Sequence, residues 1–264
     1  MTTRTAMPAL YLPHGGGPAF FMQGPMGELF RPMAEFLASV DSLLPATPSA
    51  ILVVSAHWEA PVATVTAGAH PELIFDYFGF PPETYELTYG APGAPALAAS
   101  AADLLRQSGI DVRLDPAYGW DHGVFVPLKV MYPEAAIPVV AMSLTAGLDP
   151  GHHADVGHAL RPLRDEGVLI VGSGMSYHNL RVLDDEAAST EFHHWLDGAL
   201  DGDADHRREA LATWAAAPSA RASHPREEHL LPLMVASGSG GDEPATKLWA
   251  GRMGSTPVGA WAFN

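Results

Sequence analysis

The chain has no cysteine, so it can form neither a disulfide nor a thiolate metal site, and any metal must be held by nitrogen and oxygen. Cations are scarce too: 14 Lys and Arg stand against 30 Asp and Glu, a formal net charge of −16. That balance argues against nucleic acid or an anionic membrane surface as a partner. It leaves an anionic small molecule open, because a bound divalent ion inverts the field locally. No apolar run approaches the length of a membrane span; Ala50-Ile51-Leu52-Val53-Val54 is only strand-sized. Residues Met1 to Pro8 lack the apolar core of a secretory leader, and the cytoplasm is the expected compartment. The acidic residues are scattered (Asp184-Asp185-Glu186, Asp201 to Asp205, Glu227-Glu228) and read as solvated surface.

What is present is enough for a sizeable core: 264 residues, 47% of them apolar. Strand-like runs fall at 9–12, 50–55, 62–66, 112–114, 137–142 and 167–172. The run at 50–55 is almost continuously apolar, as in a strand covered on both faces. Helical spacing marks 26–44, 94–107, a segment from about 124, 152–164, 186–200, 206–216 and 225–237. Strands alternating with helices predict one α/β domain over 1–264, with a largely parallel central sheet flanked by helices. The stretch Phe75-Asp76-Tyr77-Phe78-Gly79-Phe80-Pro81-Pro82-Glu83 is too rich in Gly, Pro and aromatics for regular structure. It reads as a lid or a pocket lining.

Histidines carry the chemical signal. They sit in Leu12-Pro13-His14-Gly15-Gly16-Gly17-Pro18, Ser55-Ala56-His57-Trp58-Glu59, Ser173-Gly174-Met175-Ser176-Tyr177-His178-Asn179-Leu180 and His224-Pro225-Arg226-Glu227-Glu228-His229. The first three lie where an apolar strand breaks into a loop, which is where α/β scaffolds carry their chemistry. Neutral imidazole is a common transition-metal ligand, but a lone histidine at a strand end is more often just a hydrogen-bonded polar group. The glycine run after His14 allows unusual dihedrals and close approach to a ligand. It matches the spacing of neither the dinucleotide fingerprint nor the phosphate-binding P-loop. Pro225 suits a first helical position, which would put His229 one turn inside a helix, with a kink at Pro232. His70, His152, His153, His158, His193, His194 and His206 read as exposed or helix-face residues. No compact zinc motif is present, so spacing alone leaves metal binding open.

The ordered series P-H-G-G-G-P, S-A-H-W-E, F-G-F-P-P-E-T-Y, W-D-H-G, S-G-M-S-Y-H-N-L and H-P-R-E-E-H-L-L-P-L, from about Leu10 to Ser237, resembles the class III extradiol ring-cleaving dioxygenases. Within that family it is similar to the DOPA 4,5-dioxygenase type. The resemblance implies that His14, His57 and His229 are metal ligands and that His178 is an acid/base or a further metal neighbour. It makes His122 of W-D-H-G a second active-site histidine. Many relatives complete the metal site with a carboxylate; here His229 takes that place, with Glu228 adjacent. The implied reaction uses Fe(II) and O₂ to open a catechol ring to a muconic semialdehyde. Zn(II) suits the same nitrogen ligands but cannot perform the redox step. Two other readings fit the residues: a zinc hydrolase with Glu228 or His178 as base, and a metal-dependent protein that only binds a small ligand.

Overall fold

The computed structural model describes residues 6–183 and 185–264. Most of Met1 to Pro8, read above for a leader, and Asp184 of the acidic cluster lie outside the described residues. The strands are β1 (Ala9–Pro13), β2 (Ala50–Ala60), β3 (Ala63–Thr66), β4 (Val112–Asp115), β5 (Val139–Thr145), β6 (Val168–Gly174), β7 (Thr246–Met253) and β8 (Thr256–Phe263). The helices are α1 (Gly24–Ser39), α2 (Pro95–Gln107), α3 (His122–Met131), α4 (Pro150–Leu160), α5 (Glu186–Leu200), α6 (Ala204–Ala212), α7 (Ala220–Ser223) and α8 (Leu231–Ser239).

Among the described residues the strands form one eight-stranded sheet in the order β4-β3-β5-β2-β6-β1-β8-β7. The central strands β5, β2, β6 and β1 pair in parallel. Alternation along them sends side chains to two cores. Leu10, Leu12, Ile51 and Val53 pack on the side of α1 and α3, while Ala9, Tyr11, Leu52 and Val54 pack on the side of α2, α4 and α8. The α/β reading with a largely parallel sheet therefore holds.

Three local expectations give way. The helix read over 26–44 ends as an α-helix at Ser39 and tightens into a 3₁₀ turn, Val40–Leu43. The helix read over 225–237 begins only at Leu231. Pro232 has no N–H to donate into a preceding turn, so it opens α8 near its first position instead of kinking a longer helix. His153 is buried, not exposed: its Nδ1 donates to Asp149 O at 2.6 Å and its Nε2 accepts from Thr145 N at 3.1 Å. The β7–β8 hairpin was not anticipated. Its two-residue loop, Gly254-Ser255, is a recognised hairpin signal, and Gly254 has φ +62°.

β1, β6 and β2 are contiguous, and their carboxyl ends open on one edge of the sheet. His14 follows β1 directly. His57 lies in β2 where its register against β5 shifts between Val54 and Glu59, lifting that stretch out of regular pairing. His178 follows β6.

Candidate metal centre

Five histidines gather at this edge. His14 to His57, His14 to His229 and His57 to His229 have ring centroids 4.8, 5.1 and 4.8 Å apart. His122 lies 3.8 Å from His57, and His178 stacks on His229 at 3.3 Å with only 13° between the planes. The sequence-derived candidates His14, His57, His122, His178 and His229 are thus brought together. His14, His122 and His229 are buried, whereas the His57 and His178 side chains keep 19% and 20% of their surface and mark the open side.

Backbone constraints hold this arrangement. Gly15 has φ +80°, a turn open to glycine that releases the chain from β1 just after His14. Gly174, at the end of β6, lets the turn carrying His229 lie against the strand: a Cβ there would sit 2.2 Å from His229 O. That carbonyl accepts from Tyr11 Oη at 2.8 Å and from Met175 N at 3.1 Å, which pins the turn to β1 and β6. Arg226 makes a two-pronged pair with Glu59 at 2.5 and 2.7 Å and tethers the same turn to β2. Asp121 caps α3 and accepts from Ser55 Oγ at 2.7 Å, fixing His122 at the helix start. Burial pushes the Asp121 carboxyl up to about 6, against the hydrogen bond from Ser55.

The hydrogen bonds decide which nitrogen of each ring is free. Ser173 spends its hydroxyl proton on Gly123 O at 2.5 Å, so at 3.1 Å from His14 Nδ1 it accepts, and His14 carries its proton on Nδ1. His122 donates Nδ1–H to Asp76 Oδ1 at 2.9 Å. His229 donates Nδ1–H to Glu228 Oε1 at 3.0 Å, and His178 Nδ1 faces the same oxygen at 3.4 Å. His57 Nδ1 faces Asp76 Oδ2 at 3.6 Å. Every Nδ1 is turned to an oxygen, although the His57 contact is too long for a hydrogen bond.

His14 Nε2 and His57 Nε2 lie 3.1 Å apart, and with the His14 proton on Nδ1 it is His57 Nε2–H that donates to His14 Nε2. A cation between the two nitrogens would take the place of that proton. Imidazole nitrogens bind such ions at about 2.0–2.1 Å, so two of them near a right angle lie about 3 Å apart. The corresponding ring centroids would then be about 4.5–5.2 Å apart for angles of about 90–110°. His14, His57 and His229 fit that spacing in all three pairs. The His57–His122 and His178–His229 pairs are too close to serve one ion together. By ligand-atom spacing alone, His14, His57 and His122 form one cluster within 4.8 Å and His178, Glu228 and His229 another. The donor set of neutral imidazoles and carboxylates fits a first-row divalent ion.

Electrostatics match that use. Burial, reinforced by the neighbouring imidazoles, holds His14 and His57 well below the ordinary histidine value, so both are neutral and ready to ligate. Burial also lowers His229 to about 4, against the opposing pull of Glu228. Burial disfavours a charged Glu228, but hydrogen bonds from His178 and His229 outweigh it and keep the carboxyl well below the usual range. Glu228 is therefore an ionised support for two histidines and not the solvated surface residue that its acidic pair suggests. Asp76 accepts from His122 and has no local sequence signal, since it lies 46 residues from its partner within an aromatic stretch. Ser173 stands in the motif at 173–180, but its partner His14 is 159 residues away.

The aromatic stretch forms a wall beside the histidines. Tyr77 lies 5.8 Å from His122, edge to face, and contacts Phe80 and Phe125. Phe80 also packs close over Gly17. Phe78 instead points to solvent, 90% exposed. A cavity of about 400 Å³ elsewhere, between α4, α6 and α8, is lined by none of the five histidines and lies apart from this chemistry.

The chain also resembles known proteins along nearly its whole length. Residues 8–263 match the family described as catalytic LigB subunit of aromatic ring-opening dioxygenase. The chain is 39% identical over 248 residues to a 4,5-DOPA dioxygenase extradiol of Portulaca grandiflora, covering 91% of this chain and 89% of that one. It is 37% identical over 251 residues to a protein of that description from Escherichia coli K12, covering 92% and 89%. A crystal structure of an uncharacterized Escherichia coli K12 protein superposes with TM-score 0.79 at 32% identity, covering 98% of this chain and 100% of that one.

Proposed function

On the premise that the chain belongs to the LigB family and is an extradiol ring-cleaving dioxygenase, we propose that it opens a catechol with Fe(II) and O₂ to a muconic semialdehyde. The proposed metal ligands are His14, His57 and His229, and the observation that carries them is the common spacing of the three rings, 4.8, 5.1 and 4.8 Å between centroids. When bound, Fe(II) supplies a Lewis acid that lowers the catechol pKa and a redox partner for O₂; Zn(II) occupies the same ligands without the second ability.

The chain's own residues do the rest. His178 stands on the open side with Nδ1 turned to Glu228 and Nε2 free. It takes the second phenolic proton at Nε2 and returns it to an oxygen of the opening ring. Its stacking on His229 fixes its plane, so the proton is received in one direction. His122, held at the start of α3 by Asp76, presents the Nε2 lone pair as an acceptor for a substrate hydroxyl. Phe75, Tyr77 and Phe80 wall the aromatic ring and keep water from it.

Anaerobic reconstitution of apo protein, followed by an oxygen-electrode screen of catechols, tests the proposal. Fe(II) restores O₂ uptake matched one to one by ring-opened product carrying both atoms of labelled O₂. Equal turnover with iron-free Zn(II) protein, or hydrolysis without O₂ uptake, overturns it.

A further inference from the structure

Asp76 has no part in the proton transfer above, yet it reaches two of the five histidines from a separate segment. Its Oδ1 accepts from the His122 backbone N–H and from His122 Nδ1–H, both at 2.9 Å. Its Oδ2 lies 3.6 Å from His57 Nδ1, too long for a hydrogen bond but close enough to favour a proton on Nδ1 once Nε2 is given to a metal. The carboxylate also sits at the N-terminal end of α3, where the exposed peptide N–H groups favour negative charge. Its chain neighbours form the aromatic wall: Phe75 lies 5.8 Å from Phe125, and Tyr77 5.8 Å from His122.

We infer that Asp76 is a positioning residue, which keeps the His122 proton on Nδ1, favours the Nδ1 proton of His57 when its Nε2 binds a metal, and ties the aromatic wall to the metal centre. Glu228 does the corresponding work for His178 and His229, so two carboxylates on different segments orient four rings. Asp76 differs in spanning a proposed ligand, His57, and a proposed substrate partner, His122. Its loss therefore acts on metal affinity and on substrate binding together. Partners of this kind fix ring orientation and raise ligand basicity.

The inference rests on the metal centre proposed above, and its test uses no catechol and no O₂. Apo parent, Asp76→Ala and Asp76→Asn are titrated with Zn(II) alone against a chromophoric chelator, with folding checked by circular dichroism. Imidazole ¹⁵N spectra of the apo proteins report which nitrogen carries each proton. Asp76→Ala is expected to bind zinc about 10- to 100-fold more weakly, with part of the His122 population moving its proton to Nε2. Asp76→Asn, nearly the same shape, still accepts from His122 but turns an N–H toward His57 or loses that contact. It gives a smaller loss of zinc affinity with the His122 tautomer kept, and it carries the test if the alanine variant does not fold. Zinc affinity within twofold of the parent in a folded variant, with tautomers unchanged, overturns the inference while leaving the metal centre standing. A parent that binds no zinc overturns both.

Discussion

Gly174→Ala is the sharpest single perturbation of the site, because it adds one carbon at the point where β6 meets the turn carrying His229. That carbon would lie 2.2 Å from His229 O and 2.9 Å from Tyr11 Cε2. An ordinary carbon–oxygen contact is about 3.3 Å or more, so strand and turn must separate by about 1 Å. Neither can yield alone: His229 O is held by Tyr11 Oη and Met175 N, and β6 is paired on both sides. Overpacking of this kind costs about 1–3 kcal/mol, a fall of roughly 2–4 °C in Tm for each kcal/mol in a chain near this size. The same displacement moves His229, and misplacement by about 1 Å can reduce turnover about a hundredfold. The assay is thermal unfolding of the apo protein beside zinc affinity and single-turnover rate. Gly198→Ala serves as control: it is a helical site with nothing within 4 Å of the added carbon, and there alanine should stabilise by about 0.5–1 kcal/mol. A Gly174→Ala protein with parental Tm, metal affinity and rate would refute the claim that this close approach sets His229.

Alanine at His14, His57 or His229 is expected to empty the site while circular dichroism stays parental, since the sheet core does not depend on these rings; metal analysis after gel filtration checks it. His178→Phe should retain metal and bind catechol but turn over about a hundred- to ten-thousand-fold more slowly, read from metal content and single-turnover rate in one preparation. Metal loss matching the activity loss would make His178 chiefly a ligand. Stability of the apo protein should fall on acidification. His153, lowered to about 4 by burial, and His224, lowered to about 3, stay neutral when folded. Unfolded, each takes a proton near pH 6.5, so their stabilising effect is complete above that pH and fades toward pH 4. Denaturant titrations from pH 7 to 4.5 should show this slope, and a smaller one in His153→Gln.

The legible parts of the sequence were those with local causes. The continuous run Ala50–Ser55 reads as a doubly covered strand and forms the first half of β2, which runs on to Ala60 and so contains His57 instead of ending before it. The breaks after Leu12 and Gly172 read as strand ends; β1 and β6 end at Pro13 and Gly174, and His14 and His178 follow them. The turn before α8 misled because Pro225 and Pro232 both suit a helix start, and only packing of the His229 carbonyl against Tyr11 and Met175 selects the later one. The pairings of Asp76 and Ser173 have no sequence signature, since their partners are 46 and 159 residues away and chosen by the sheet order. The buried role of His153 was hidden for a similar reason: its ring turns inward to the end of β5, which amphipathic spacing does not reveal.

Anomalous diffraction from crystals of the Fe(II)-loaded protein, recorded at the iron edge, tests the central claim most directly. The account predicts one iron per chain, bonded at about 2.0–2.2 Å to Nε2 of His14, His57 and His229, with His122 and His178 beyond bonding distance. Iron on His14, His57 and His122 without His229, or on His178 and Glu228, would contradict it.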